Sequence, residues 1–340
     1  MKRGFGSDNH SGTHPEILQA MLAANQEHAP SYGTDEWSLR AEKCFQMHFG
    51  SQIEVFYVFN GTAANALALR ALTQSYESVL CSDVSHVNVD ECGAPEFFFG
   101  GKLIPVKSTD GKISPQDLEP HLIRGGDQHF SQPRVLTLTQ PTELGTVYSV
   151  EELKALSQFA KKHKLLLHMD GTRISNAALW LNRSFKELTA DIGIDVMSFG
   201  GTKNGLMFGE ALIFFNPDAS KNFKFIRKQA AQLPSKSRFL AASFECYLQR
   251  NLFHEIAKHE CEMAEQLYQG LCQIPQVKIT RPRQSNAVFV ILPKQWVKAL
   301  RQDYFFYVWD EATFECRLMT SWDTQLVDVQ GFLQKIRSLV

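Results

Sequence analysis

Up to about residue 218, short apolar runs rich in β-branched and aromatic residues alternate with segments of helical spacing, and this narrows the possible folds more than any single residue does. "EVFYVF" (54–59) is followed by "NGTAANALALRAL", with alanine and leucine at helical intervals. "RVLTLTQ" (134–140) is followed by "SVEELKALSQFAKKHK" (149–164), an amphipathic segment with Ser149 as the expected N-cap and Glu152 completing a capping box. "LLLHMDGTR" (165–173) and "DVMSFGGTKNG" (195–205) supply two more strands. Strands separated by helices do not pair as hairpins. They require a mostly parallel sheet covered on both faces, the α/β class.

Beyond residue 218 the texture changes. "KNFKFIRKQAAQLPSKSRFLAASFECYLQRNLF" reads as helical with a break at Pro234, and another helix spans about 255–273. "AVFVIL" (287–292) and "ATFECRLMT" (312–320) read as strands, and "DTQLVDVQGFLQKIRSLV" as a final helix. At 340 residues the chain exceeds the usual span of one core. The expected organisation is a large domain over 1–242, N-terminal segment included, and a smaller α+β domain over 243–340, with the change falling between 240 and 250.

Composition excludes several classes. A formal charge of -1 and a pI near 6.8 give no support to nucleic-acid or anionic-membrane partners. No apolar run approaches the roughly 18 residues of a membrane span, and "MKRGFGSDNHSGTHPEI" has no apolar segment after its basic pair, so no secretory leader is expected. The seven cysteines are scattered and form no C-x-x-C pair, which points to reduced thiols, a cytoplasmic setting and no structural zinc. No compact ligand set for any other metal stands out.

In open parallel sheets ligands gather beyond the C-terminal ends of the strands, and four polar clusters fall there. In "FNGTAAN" (59–65), Gly61 and Thr62 stand where a strand turns into a helix, so their amides and the Thr62 hydroxyl can hold an anion; they can equally be ordinary capping. In "HMDGTR" (168–173), Asp170 is either a turn residue or the partner of a cationic ring nitrogen, with Arg173 a fork suited to a carboxylate or phenolate oxygen. In "MSFGGTKNGLMFGEALIFF", Lys203 is either a loop lysine reaching solvent or an amine whose burial depresses its pKa for Schiff-base chemistry. In "SDVSHVN" (82–88), His86 is a loop residue, a ring that stacks on a planar ligand, or a proton carrier. Taken together, an anion loop, an aspartate and a lysine at successive strand ends match what pyridoxal phosphate requires: a phosphate cradle, a carboxylate that keeps the pyridine protonated, and a covalent anchor.

These residues resemble the L-threonine aldolases within the fold-type-I pyridoxal-phosphate enzymes. The likeness is carried by "FGSDN", "YGTDEW", "NGTAAN", "SHVNVDECGA", "HMDGTRI" and "SFGGTKNG", and it runs from the N-terminus to "CRLMT". It implies a large domain with a mostly parallel sheet, a smaller C-terminal α+β domain, pyridoxal 5'-phosphate as cofactor, and a β-hydroxy-α-amino acid as substrate. It also implies roles. Lys203 would anchor the cofactor, Asp170 would pair with its ring nitrogen, Gly61 and Thr62 would hold its phosphate, and His86 would stack on its ring. Ser7, Arg173 and Arg317 would hold the substrate carboxylate. His129, in "GGDQHFSQP", would approach the substrate hydroxyl, and Tyr32 would line the site from a neighbouring subunit. Basic residues of that subunit complete the phosphate site in the family; around "RKQAAQLPSKSR" the candidates are Lys228, Lys236 and Arg238. The implied assembly is a homo-oligomer with shared sites, a dimer of dimers.

The expected reaction is aldol cleavage of L-threonine or L-allo-threonine to glycine and an aldehyde, with His86 or His129 as base. Phenylserine-type substrates, or β-elimination, transamination or racemisation on the same scaffold, are the alternatives. A non-catalytic regulator is a further alternative of another class; such proteins carry an attached DNA-binding segment, and only a handful of residues precede the first matched motif here, so it is not the expected reading.

Overall fold

The structure, a computed structural model, describes residues 3–340; Met1 and Lys2, which begin the stretch read for a leader, lie outside it. Seven strands form one sheet in the order β1-β7-β6-β5-β4-β2-β3, with β1 Glu54–Val58, β2 Glu77–Ser82, β3 Lys102–Val106, β4 Gln132–Thr139, β5 Leu166–Gly171, β6 Val196–Phe199 and β7 Glu210–Phe214. All pairings from β3 across to β6 are parallel, whereas β7 runs antiparallel to both neighbours. The link from Gly200 to Gly209 is too short for a crossover helix, so β7 has to return beside β6 in the opposite direction. That return loop carries Lys203.

Both faces of the sheet are buried, as the continuous apolar strands require. In β7, Ala211 and Ile213 enter one core while Leu212 and Phe214 enter the other. The helix read from the capping box forms over Val150–Lys162, with the Ser149 amide donating to Glu152 Oε2 (2.6 Å) and the Glu152 amide to Ser149 Oγ (3.1 Å). Pro234 separates the helices Phe223–Gln229 and Arg238–Gln249. Then come the long helix Leu252–Cys272 and a separate antiparallel sheet, β10-β11-β9-β8, of β8 Lys278–Ile279, β9 Ala287–Ile291, β10 Tyr307–Asp310 and β11 Glu315–Met319. The strand expected from residue 312 begins three residues later, because Asp310 Oδ1 draws the Ala312 amide into a turn and Phe314 takes a positive φ of 58°.

This second sheet has its own core, against the helix Leu326–Arg337. Phe5 belongs to it: its amide donates to the Phe305 carbonyl (2.7 Å) and its carbonyl accepts from Met319 (2.8 Å). The N-terminal segment thereby reaches the ends of the central strands from the side of the second core. Among the described residues no helix is long and apolar enough to cross a membrane.

Candidate active site

The ends of β4, β5 and β6 and the start of the helix Gly61–Leu72 enclose a cavity of about 430 Å³. Gly61, Thr62, His86, Asp170, Arg173 and Lys203 all line it. Residues read from four separate strand ends therefore meet in one place.

Asp170 is buried, and its carboxylate is held by the Thr172 amide (3.0 Å), the Thr172 hydroxyl (2.6 Å) and the Asn65 side-chain amide (2.9 Å). Burial pushes its pKa up, but those donors and the charge of His86 outweigh burial and leave the carboxyl below its ordinary range. Two donors fall on Oδ1 and one on Oδ2, so an acceptor direction on Oδ2 remains.

Lys203 lies on a short 3-10 turn, Thr202–Asn204. The double glycine before it is a packing requirement: a Cβ at Gly200 would run into the Thr172 carbonyl, and one at Gly201 into that of Gly209. Burial, and then the charge of Arg173, lower the Lys203 pKa against the opposing pull of Asp8, Asp170 and Glu210. Among the described residues its amine has no hydrogen-bond or ion-pair partner. It is a poorly solvated amine with no bond to break before it reacts.

At the start of the helix Gly61–Leu72, Asn60 caps Ala63 through its side chain (2.9 Å) and Ala64 through its carbonyl (3.1 Å). The Gly61 and Thr62 amides find no acceptor among the described residues. They form the positive end of the helix facing the cavity, where an anion is stabilised.

His86 is fixed at two points. Its amide donates to Glu143 Oε1 (2.7 Å), and its Nδ1 meets Glu91 Oε1 at 2.8 Å. The Glu91 hydrogen bond outweighs burial and raises the His86 pKa. Arg173 forms a two-pronged pair with buried Asp8, Nε to Oδ2 at 2.6 Å and Nη2 to Oδ1 at 2.9 Å, which leaves Nη1 uncommitted. Arg317 has no carboxylate partner among the described residues, and its Nε is buried and unpartnered. Burial, then the charge of Arg173, push its pKa down to about 10. Such a guanidinium has capacity for an incoming anion.

The model of the beta-eliminating lyase family matches residues 4–295. The chain belongs to the β-eliminating lyase family. Within it, the chain is 45% identical to a low specificity L-threonine aldolase of Pseudomonas aeruginosa, over 98% of this chain and 96% of the relative. It is 43% identical to another from a Pseudomonas strain, over 99% and 97%. The solved structure of Leishmania major threonine aldolase matches at a TM-score of 0.94, with 29% identity over 99% of each chain. The likeness to threonine aldolases carried by the sequence motifs is thereby borne out, as is the α/β architecture with its separate small sheet.

The other sequence-derived candidates of this β-eliminating lyase, Arg317 included, are not among the residues that line the cavity within one chain. The Ser7 hydroxyl accepts from the Asn9 amide (3.2 Å), and it is Asn9 that lines the cavity. His129 sits on an exposed turn whose amide donates to Asp127 Oδ1 (3.0 Å). Tyr32 is exposed, with its amide bonded to the Ser235 carbonyl (2.9 Å) and Lys228 Nζ 5.5 Å from its ring centre. Lys236 and Arg238 line a different surface cleft, where Arg238 Nη1 donates to the Gln26 and Glu27 carbonyls.

Asn65, Glu143 and Glu210 of the cavity lining escaped the sequence reading, as did Glu91 behind His86. Burial drives Glu143 and Glu210 up to about 7. Glu210 Oε2 accepts the Gly201 amide (2.5 Å) and so braces the lysine loop. A signal for it exists, since "EALIFF" puts one acid at the head of an otherwise apolar strand. Asn65 is likewise the lone amide in an alanine–leucine helix.

Proposed function

We propose that this lyase is a pyridoxal 5'-phosphate-dependent aldolase that cleaves L-threonine and L-allo-threonine, and related β-hydroxy-α-amino acids, to glycine and an aldehyde. The observation that carries the reading is the uncommitted Lys203 amine in the same cavity as an ionised Asp170 and a bare helix start. The cavity's chemistry fits the cofactor at three points. The free acceptor direction on Asp170 suits a protonated ring nitrogen, the Gly61 and Thr62 amides suit a phosphate, and the Lys203 amine suits an aldehyde. When bound, the cofactor supplies the electron sink that lets a Cα–Cβ bond break.

The chain's own residues do the rest. Asp170, by staying charged, would keep the cofactor's ring nitrogen protonated, and Lys203 would be its covalent anchor. Arg317 and the free Nη1 of Arg173 hold the substrate carboxylate, with Ser7 beside Asp8. Orientation of this kind contributes up to about 7 kcal/mol. His86 would lie against the cofactor ring and would take the β-hydroxyl proton at Nε2, its Nδ1 being engaged by Glu91. His129 approaches the substrate hydroxyl, and Tyr32, Lys228, Lys236 and Arg238 serve a neighbouring subunit's site, which fits their distance from their own cavity. The working form is then a cytoplasmic homo-oligomer, a dimer of dimers with shared sites, acting in threonine breakdown and glycine formation.

The test is acetaldehyde release from L-threonine and L-allo-threonine by purified protein with added pyridoxal phosphate. Release that vanishes in Lys203→Ala supports the aldolase and ranks the isomers. A folded, yellow protein that releases none would overturn the threonine reading and favour phenylserine-type substrates or β-elimination. The stacked Phe59 and Phe208 rings on the cavity wall, 6.2 Å apart, would accommodate an aryl side chain.

A further inference from the structure

Asp170 and His86 are joined through the interior. The Asn65 side-chain amide, one turn into the helix that begins at Gly61, donates to Asp170 Oδ2 (2.9 Å) and to Glu91 Oε1 (2.8 Å). Glu91 Oε1 is also the atom that meets His86 Nδ1, at 2.8 Å. Asn65, Glu91 and Asp170 are all buried. Both amide protons of Asn65 are committed, and Asn65 Oδ1 is left buried without a partner. Turning the amide over would set that oxygen against two carboxylates, so the orientation is fixed by its acceptors. An orphaned carbonyl in an alanine–leucine helix destabilises the fold, and an apolar side chain would not. The residue makes sense here as a donor to two acids at once.

We propose that Asn65 is a positioning residue: by donating to both Asp170 and Glu91 it keeps the shared proton on His86 Nδ1, so that the neutral ring presents Nε2 to the cavity as a base. An N–H donated to Glu91 Oε1 lowers that oxygen's own affinity for a proton and favours the imidazole as its carrier. The groups acting on His86 are Glu91, Asp170 and Lys203 around the ring and Glu143 at its amide. Apart from His86 itself, only Asn65 among the described residues hydrogen-bonds to two of them. Without it, Glu91 takes up a proton from solvent and donates it to Nδ1, the ring's own proton passes by way of solvent to Nε2, and the base is lost although the ring stays in place.

The inference deepens the aldolase reading, and its test does not depend on turnover. In the full chain, before and after loading with pyridoxal phosphate, ¹⁵N–¹H spectra of the imidazole nitrogens report the His86 tautomer and its titration, with the signal assigned by His86→Gln. The wild-type ring is expected as the Nδ1–H tautomer, and Asn65→Leu should move it toward Nε2–H and lower its titration midpoint. In the same variant kcat should fall at least tenfold with KM little changed, and the acid limb of kcat against pH should move. Should Asn65→Leu fail to fold, Asn65→Ala removes the same donor with no bulk to place and must shift the tautomer in the same sense. A folded Asn65→Leu or Asn65→Ala with the wild-type tautomer and midpoint overturns the proposal. A shifted tautomer in a protein that cleaves no β-hydroxy amino acid would sustain the proposal while refuting the aldolase reading.

Discussion

The floor of the cavity is assembled within one chain, whereas the outer loops expected to complete its rim lie apart from that cavity. Asp170 accepts three hydrogen bonds and His86 is held at ring and amide, all by residues of the same chain. Tyr32, His129, Lys236 and Arg238, which the family resemblance assigns to the same chemistry, lie on outer segments, where Tyr32 and Arg238 donate to backbone carbonyls and the His129 amide to Asp127 Oδ1. The difference marks what one chain completes by itself. Its floor is preorganised on strand ends, and the proposed service of the outer loops to a second copy is what experiment has to decide.

The sharpest way to break that contrast is to disable one region in each of two chains. Lys203→Ala removes the covalent group, and the expected loss is on the order of 10⁴-fold or more in kcat, the scale on which enzymes lose such a residue. Arg238→Ala or Lys236→Ala should leave Lys203 intact but cripple the neighbour's phosphate site. Unfolding and refolding the two inactive variants together should then restore about a quarter of wild-type activity, since random pairing leaves one intact site in half of the dimers. No recovery in mixed assemblies of proven composition would place the rim and the floor in the same subunit's service.

The two histidines give the next largest contrast. A general base contributes roughly 10²- to 10⁴-fold, so His86→Ala should lose that much cleavage rate. His129, on its exposed turn, should lose less than about tenfold on the same scale. Equal retention of rate in both variants would remove histidine from the role of base.

Asp170→Asn keeps the shape of the floor and removes its charge. A hydrogen bond to a charged group contributes roughly 1.5–3 kcal/mol, so cofactor affinity should weaken on the order of 10- to 100-fold. An absorbance titration with pyridoxal phosphate reads this directly. Affinity within twofold of wild type would mean that the carboxylate serves the fold and not the ring nitrogen.

Much of the floor is legible in the sequence, because strand-end position is itself a signal. Asp170, Lys203, Gly61 and His86 each follow an apolar run, and parallel sheets direct such residues to one edge. The return of β7 follows from the length of the loop after β6. What is not legible is the wiring beneath. Asn65 looks like one more helix residue, and its meaning lies in contacts with Glu91, 26 residues away, and Asp170, 105 away. Glu143 and Glu210 read as ordinary acids until burial in the cavity wall drives their pKa values to about 7. Phe5 has no period to betray that it belongs to the second core. Local patterns disclose local structure and where sites gather, but a network that spans several elements is set by packing alone.

The smallest effect expected at neutral pH belongs to His168, two residues before Asp170 on the same face of β5, between Thr137 Oγ1 (2.7 Å) and Ser198 Oγ (3.1 Å). It is fully buried, and burial holds its pKa down at about 4 from an ordinary value of 6.5. The unfolded chain therefore takes up a proton below pH 6.5 that the folded chain refuses until pH 4. Stability is unaffected by this group above pH 6.5 and declines as the pH falls from there to about 4, by roughly 3 kcal/mol in all. In His168→Gln the hydrogen bonds to Thr137 and Ser198 are weakened at every pH, but that part of the acid decline should disappear. Denaturation midpoints between pH 7 and pH 4 decide it. Parallel curves for the two proteins would mean that His168 takes up its proton within the folded floor, directly beneath Asp170, and the floor would then be less closed to water than the cavity's hydrogen bonding requires.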